Sequence, residues 1–291
     1  MADVLSLHVA SFNCRGYNII KRNYIRSVLS KVSVLFLQEV WLSDGQMKEL
    51  ANIDNHFLFN GRSGFDNSEV LTGRPYGGVA ILWRSDLAAK IAVIDTNSKR
   101  VCAVRMESDA FKLLFINVYM PYENDDCSTT EFADQLIVIE DICNANSDCH
   151  VIAGGDFNVD FTRDRCHTLL LDNFCESVGL IPAVRHCNSN IDYTYHFNLD
   201  RFSVLDHFLL SGSLYENSIN NVSALHSIDN TSDHEPIILQ LSFEANAVGF
   251  HQRIHVPRTS WVKATDFDCN NYRRTLSSLL GTIVMPCYVR T

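Results

Sequence analysis

The sequence predicts an α/β sandwich, with two β-sheets face to face and helices outside. Three observations predict it. Ten short runs have strand character, and several of them alternate apolar and polar residues. Segments of helical period are fewer and lie between those runs. No internal repeat or low-complexity tract interrupts the pattern.

The strand-like runs fall at 5–13, 32–38, 78–83, 90–95, 100–106, 112–119, 150–153, 204–211, 222–228 and 236–243. The stretch 111–119 alternates most strongly, and Val34-Leu35-Phe36-Leu37 is apolar throughout. A first helix is expected at 24–31. A second is expected at 129–144, with Ser128 as its cap and Glu131 in its first turn. A third, at 165–177, sets Leu169, Leu170, Phe174 and Val178 at helical spacing. The run ending at Ala153 leads into Gly154-Gly155-Asp156-Phe157-Asn158. The glycines are expected to turn the chain sharply and to let another group approach the backbone. Asp156 and Asn158, two apart, point to one side of an extended chain.

Strand character ends near 245–249, and the charge changes there. From Gly249 onward six basic side chains stand against two acidic ones, a net of +4, which leaves −14 for the rest of a chain whose total is −10. The expected organisation is a globular domain at 1–245 and a basic, partly helical linker or tail at 246–291. The tail's helix is expected at 261–280, with Tyr272, Leu276, Leu279 and Leu280 on one face. A segment this short buries little by itself. It reads as a linker or as the start of a further region, and the alternative is a C-terminal helix packed on the domain.

An apolar fraction of 46% is ample for a core. The net charge argues against a general polyanion-binding surface, and an acidic body that handles phosphate needs a metal cation to screen its carboxylates. Met1-Ala2-Asp3-Val4 lacks the basic start of a secretory signal, and the 10 cysteines include no Cys-x-x-Cys pair. The expectation is an intracellular protein, nuclear or cytoplasmic and not secreted, with reduced thiols serving as small apolar residues. No apolar run has the length of a membrane span.

Polar residues end several strand-like runs: Asn13, Glu39, Tyr119, Asp156, Asn158, Asp206, Asp233 and His234. Each has an ordinary reading. Asn13 can cap a turn, Glu39 can be a solvated charge, Asp206 can pair with a surface arginine, and His207 can be a neighbour on the opposite face. Together they have a chemical logic. Hard oxygen ligands suit Mg²⁺. His234 suits a base near neutral pH, with Asp206 as the carboxylate that orients it. No Gly-x-Ser-x-Gly nucleophile motif is present. Water is then the natural nucleophile, and metal-assisted phosphoester hydrolysis the natural reaction.

Six blocks carry a resemblance: Ser-Phe-Asn at 11–13, Leu-Gln-Glu at 37–39, Asn-Val-Tyr-Met-Pro at 117–121, Gly-Asp-Phe-Asn at 155–158, Val-Leu-Asp-His-Phe at 204–208 and Ser-Asp-His-Glu-Pro-Ile at 232–237. In that order the chain resembles the endonuclease/exonuclease/phosphatase superfamily of Mg²⁺-dependent phosphodiesterases, which includes the apurinic endonucleases and DNase I. The resemblance implies a four-layered α/β sandwich of two facing mixed β-sheets flanked by helices. It implies Glu39 as the main metal ligand, with Asn13 and Asp233 nearby, and Mg²⁺ as cofactor with Mn²⁺ as substitute. It implies that His234, paired with Asp206, activates water or holds the scissile phosphate, with Asp156 as the competing base or leaving-group acid. Asn158 and Tyr119 take the place of phosphate-oxygen ligands.

Thr194-Tyr195-His196, the run 203–208 and the tail from Trp261 resemble the endonuclease domain of non-LTR (LINE-type) retrotransposon polyproteins. That implies a DNA substrate, with RNA and a reverse transcriptase domain missing from this chain as further partners, and no membrane. Thr194 and Ser203 would then contact phosphate or brace the site. Arg15 stands where apurinic endonucleases often carry aspartate, and Tyr122 where they carry asparagine; both are expected at the phosphate or DNA. Two other readings stand beside DNA nicking for retrotransposition. One is a small-molecule phosphodiesterase or phosphatase acting on inositol phosphate, sphingomyelin or RNA tails. The other is a catalytically inactive, domesticated binding module.

Overall fold

The computed structural model of the protein describes residues 4–65, 75–87, 89–108, 111–198, 200–244 and 265–281. Strands β1 (Val4–Asn13), β2 (Val34–Gln38), β3 (Phe57–Arg62) and β4 (Val79–Arg84) come first. They are followed by β5 (Lys90–Ile94), β6 (Val101–Glu107), β7 (Lys112–Tyr119) and β8 (His150–Asp156). Four short strands come next: β9 (Leu180–Pro182), β10 (Ser189–Asn190), β11 (Tyr195–Phe197) and β12 (Arg201–Ser203). The last are β13 (Asp206–Ser211), β14 (Ile219–Ala224) and β15 (Ile237–Glu244). The helices are α1 (Ile19–Leu29), α2 (Asp126–Ala145), α3 (Cys166–Val178), α4 (Gly212–Asn217) and α5 (Asp266–Gly281).

Two mixed sheets carry the fold. A seven-stranded sheet has the order β10-β14-β15-β1-β2-β4-β3, and a six-stranded sheet the order β5-β6-β7-β8-β13-β9. The apolar faces of both meet in one cluster that includes Val9, Phe36, Ile81, Phe115, Ile152 and Phe208. Phe36 of the first sheet packs edge-on to Phe115 of the second at 6.2 Å and against Phe208 at 6.1 Å. The outer face of the first sheet packs α1 through Tyr24, Ile25, Val28 and Leu29. The outer face of the second packs α2 and α3 through Phe132, Leu136, Ile139, Leu171 and Phe174. The layers are therefore helix, sheet, sheet, helix, as the sequence predicts.

Differences from the sequence reading have local causes. Helix α1 begins five residues before residue 24 because Asn18 caps it, accepting from the backbone N–H of Ile20 and Lys21 at 2.9 and 3.0 Å. Asp125, not Ser128, caps α2; Ser128 is its reciprocal partner in a capping box. Strand β8 does not turn at the glycines but runs through them to Asp156. At Gly155 (φ +147°) a Cβ would lie 2.0 Å from the Val118 carbonyl oxygen, so the close approach of β7 is what the glycine permits. The strand expected at 222–228 is β14, which ends at Ala224. Strands β3 and β9–β12 carry no alternating apolar run, and four of these five are three residues or fewer.

The chain divides into two compact units, Met1–Arg253 and Ile254–Thr291. In the second, Tyr272 and Leu276 of α5 are exposed. The expected helix start at 261–264 lies outside the described residues. Among the described residues no helix is long and apolar enough to cross a membrane.

Candidate active site

Strand polarity gathers the candidate residues at one rim. β1 runs parallel to β2, and β7 parallel to β8, so each pair ends on one side. These ends carry Asn13, Gln38 followed by Glu39, Tyr119 and Asp156. β13 is antiparallel to β8 and starts there, with Asp206 opposite Asp156. β15 is antiparallel to β1, so His234, just before it, reaches the same rim. Beneath them Asn117 joins the sheets. Its side chain donates to the carbonyls of Leu37 and Ala80 at 2.8 Å and accepts from Gln38 Nε2 at 2.6 Å, all buried.

Buried and half-buried hydrogen bonds link the set. Asn13 Nδ2 donates to Glu39 Oε1 at 3.0 Å and to Asp156 Oδ2 at 2.9 Å, which ties one sheet to the other. Asn13 Oδ1 accepts from the Arg15 backbone N–H at 3.1 Å. Glu39 Oε2 accepts from the Trp41 indole at 3.0 Å. Asp156 Oδ1 accepts from the Asn158 backbone N–H at 3.0 Å. Asn158 Nδ2 donates to the Met120 carbonyl at 2.8 Å. His234 Nδ1 donates to Asp206 Oδ2 at 2.8 Å, and its Nε2 lies 3.8 Å from Asp156 Oδ2. Arg15, Glu39, Trp41 and Asn158 all have left-handed backbone, φ between +47° and +56°. Such strained non-glycine positions concentrate where function requires them.

The electrostatics follow from burial. Burial pushes the Asp156 carboxyl up to about 7; the nearby His234 opposes this and Asp206 adds to it. Burial alone would lower His234, but the Asp206 and Asp156 carboxylates outweigh it and raise the imidazole to about 10. Burial and then the Glu39 carboxylate hold the Tyr119 phenol above its ordinary range, so it stays protonated.

A cleft of about 770 Å³ opens over this group. Its lining includes Arg15, Glu39, Tyr119, Tyr122, Asp156, Asn158, Asp233 and His234, together with Ser203 and aromatic residues of the β11–β12 hairpin. Of the two roles expected for Thr194, phosphate contact and bracing, its position fits bracing. Thr194 is fully buried and cannot meet a phosphate; its Oγ1 accepts the backbone N–H groups of Leu205 and Asp206 at 2.9 and 3.0 Å, so it braces the start of β13. Asp233 lines the same cleft as Glu39, and its carboxylate pairs there with Arg15 Nη1 at 2.9 Å. Arg15 therefore contacts a carboxylate at the cleft wall. Ser203 Oγ accepts from Arg163 Nη2 at 2.7 Å, and Arg163 was not singled out from the sequence. Nor was Trp41, whose only signal is its place two residues after Glu39. Tyr195, named only within the block 194–196, sets its ring 4.9 Å from that of His234.

The donor set fits a hard divalent cation. Carboxylates, one amide and one imidazole face the cleft. Asp156, Asp206 and His234 bring ligand atoms within 4.8 Å of one another, and Asp206 Oδ1 is buried without a hydrogen-bond partner. The neighbouring Cys14 thiol is pushed up to about 12 by burial and stays protonated, so it offers no soft thiolate ligand.

Residues 10–234 match the model of the Endonuclease/Exonuclease/phosphatase family. The chain belongs to that family. Family members share a hydrolytic role as nucleases and phosphatases, and the two-sheet sandwich recurs in solved structures. An AP endonuclease from Leishmania major superposes with a TM-score of 0.65 at 15% identity, over 82% of this chain and 88% of that one. The endonuclease domain of TRAS1, a telomere-specific non-LTR retrotransposon, gives 0.61 at 14% identity, over 81% and 98%. A 3' phosphatase from Neisseria, bound to product DNA hairpin, gives 0.62 at 17% identity, over 81% and 100%. At these identities the likeness is one of fold. No curated protein sequence matches the chain.

Proposed function

We propose that this family member is a Mg²⁺-dependent endonuclease that nicks DNA by attack of water on a phosphodiester. The observation that carries the reading is the hydrogen-bonded chain Glu39–Asn13–Asp156 beside the buried Asp206–His234 pair at the base of one cleft. Glu39 is the carboxylate best placed to hold the metal, with Asn13 as the amide that orients it. Bound there, Mg²⁺ (or Mn²⁺) would offset charge building on the phosphate. Asp206 accepts from His234 Nδ1 and so turns Nε2 toward the cleft. Because two carboxylates keep the ring protonated, His234 suits a phosphate-holding cation better than a base. Asp156, raised to about 7, then suits the proton transfer, taking a proton from water or returning one to the leaving oxygen. The Asn158 side chain and the Tyr119 hydroxyl stand beside it as phosphate contacts. A DNA-bound phosphatase and a retrotransposon endonuclease domain among the similar structures support a DNA substrate.

The net charge of −10 favours one second reading, hydrolysis of a small phosphate ester. The deciding experiment is nicking of supercoiled plasmid in Mg²⁺, with and without EDTA, by wild type and Glu39→Ala. The expected outcome is EDTA-sensitive nicking that falls by at least about 10²-fold in the variant. No nicking alongside turnover of small phosphate esters would favour the second reading.

A further inference from the structure

We infer that a second cavity, which shares Tyr119 with the cleft, is a phosphate subsite for a polynucleotide strand. This rests on the DNA reading above and deepens it. The cavity holds about 450 Å³ and is lined in part by Asn97, Ser98, Lys99, Arg100, Glu131 and Gln135. Its charges leave one cation over. Arg100 is committed within the protein: Nε donates to Glu131 Oε1 at 2.6 Å and Nη1 to the Tyr119 carbonyl at 3.2 Å. Its guanidinium also lies 5.3 Å from the centre of the Tyr119 ring, so it fixes the residue common to both cavities. Glu131 is neutralised by that contact. Lys99 is exposed and has no ion-pair partner among the described residues.

The remaining polar groups are arranged to donate. Ser98 is buried and donates from Oγ to Gln135 Oε1 at 2.7 Å, which orients the Gln135 amide and leaves its N–H groups for a ligand. Asn97, left-handed at φ +47°, makes the turn that buries Ser98 and exposes Lys99 beside it. An ammonium with amide donors and no unpaired carboxylate matches an anion of phosphodiester type. A small phosphate ester fills the cleft alone. A strand whose scissile phosphate sits over Asp156 and His234 continues past Tyr119 and meets Lys99. A basic contact is thereby supplied locally on a chain of net negative charge.

The test compares wild type, Lys99→Ala and Lys99→Arg in Mg²⁺ on two substrates, supercoiled plasmid and the small diester bis(4-nitrophenyl) phosphate, over a range of NaCl. Lys99→Ala should raise KM for plasmid about fivefold at moderate salt and flatten the slope of log KM against log salt by about one. Its kcat, and its activity on the small diester, should match wild type, and Lys99→Arg should restore both KM and slope. Wild-type KM and slope in Lys99→Ala would overturn the subsite and leave DNA nicking standing. A wild-type protein that turns over the small diester but never nicks plasmid would remove the DNA reading, and the subsite with it.

Discussion

His234 is held between two buried carboxylates, Asp206 at 2.8 Å and Asp156 at 3.8 Å. That position makes stability depend on pH in an unusual direction. The folded imidazole is raised from 6.5 to about 10, so its contribution is full below pH 6.5 and is lost as pH climbs through 10. Asp156 is raised from 3.8 to about 7, so the folded protein again binds the extra proton, and that contribution fades between pH 4 and 7. Both slopes have the same sign. In EDTA, the urea midpoint of wild type should fall between pH 6 and pH 10, and Asp206→Asn should flatten the fall above pH 7. Parallel curves for the two proteins would show that Asp206 does not raise the ring. The identity of these residues was legible in the sequence, because each ends or precedes an apolar run. The Arg15–Asp233 pair and the burial of Thr194 were not, because neither follows from chain position: both depend on which strand ends become neighbours.

At the scale of elements, the strands beneath the site are the ones the sequence showed best. β2, β7 and β8 are covered on both faces, so their apolar runs are nearly continuous. The hairpin β11–β12 and the edge strand β3 pack only partly and leave no such signature. Within β8 the glycines serve the sheets. A Cβ on Gly154 would meet the Phe208 ring at 2.5 Å, and one on Gly155 the backbone of Val118. Backbone cannot swing aside as a side chain can. Gly155→Ala should therefore cost about 2–4 kcal/mol in urea unfolding, more than Gly154→Ala, where an aromatic ring can shift. Equal or negligible losses at both positions would mean that β7 and β8 can separate without penalty.

At the scale of the molecule, the interface between the sheets decides whether a site exists. Asn13 belongs to one sheet and Asp156 to the other, and their 2.9 Å hydrogen bond requires the sheets to stay in register. Phe36, fully buried between Phe115 and Phe208, supports that register from below. Phe36→Ala should cost about 3–5 kcal/mol by chemical denaturation, and nicking should fall even where the variant remains folded. Full activity in a folded variant would show that the aromatic contact is not needed to align the rim.

The order of apolar runs, their lengths and the polar residues that end them determined the fold class, the two-sheet sandwich and the chemistry of the group at the rim. Those features are local, and a strand's hydrophobic pattern and a side chain's donors are written in consecutive residues. Only the tertiary structure decided that Arg15 neutralises Asp233, that Thr194 braces β13, and that His234 lies between two acids in a dry environment. These depend on which strand ends meet and on how much water is excluded there, and both are set by packing between residues far apart in the chain.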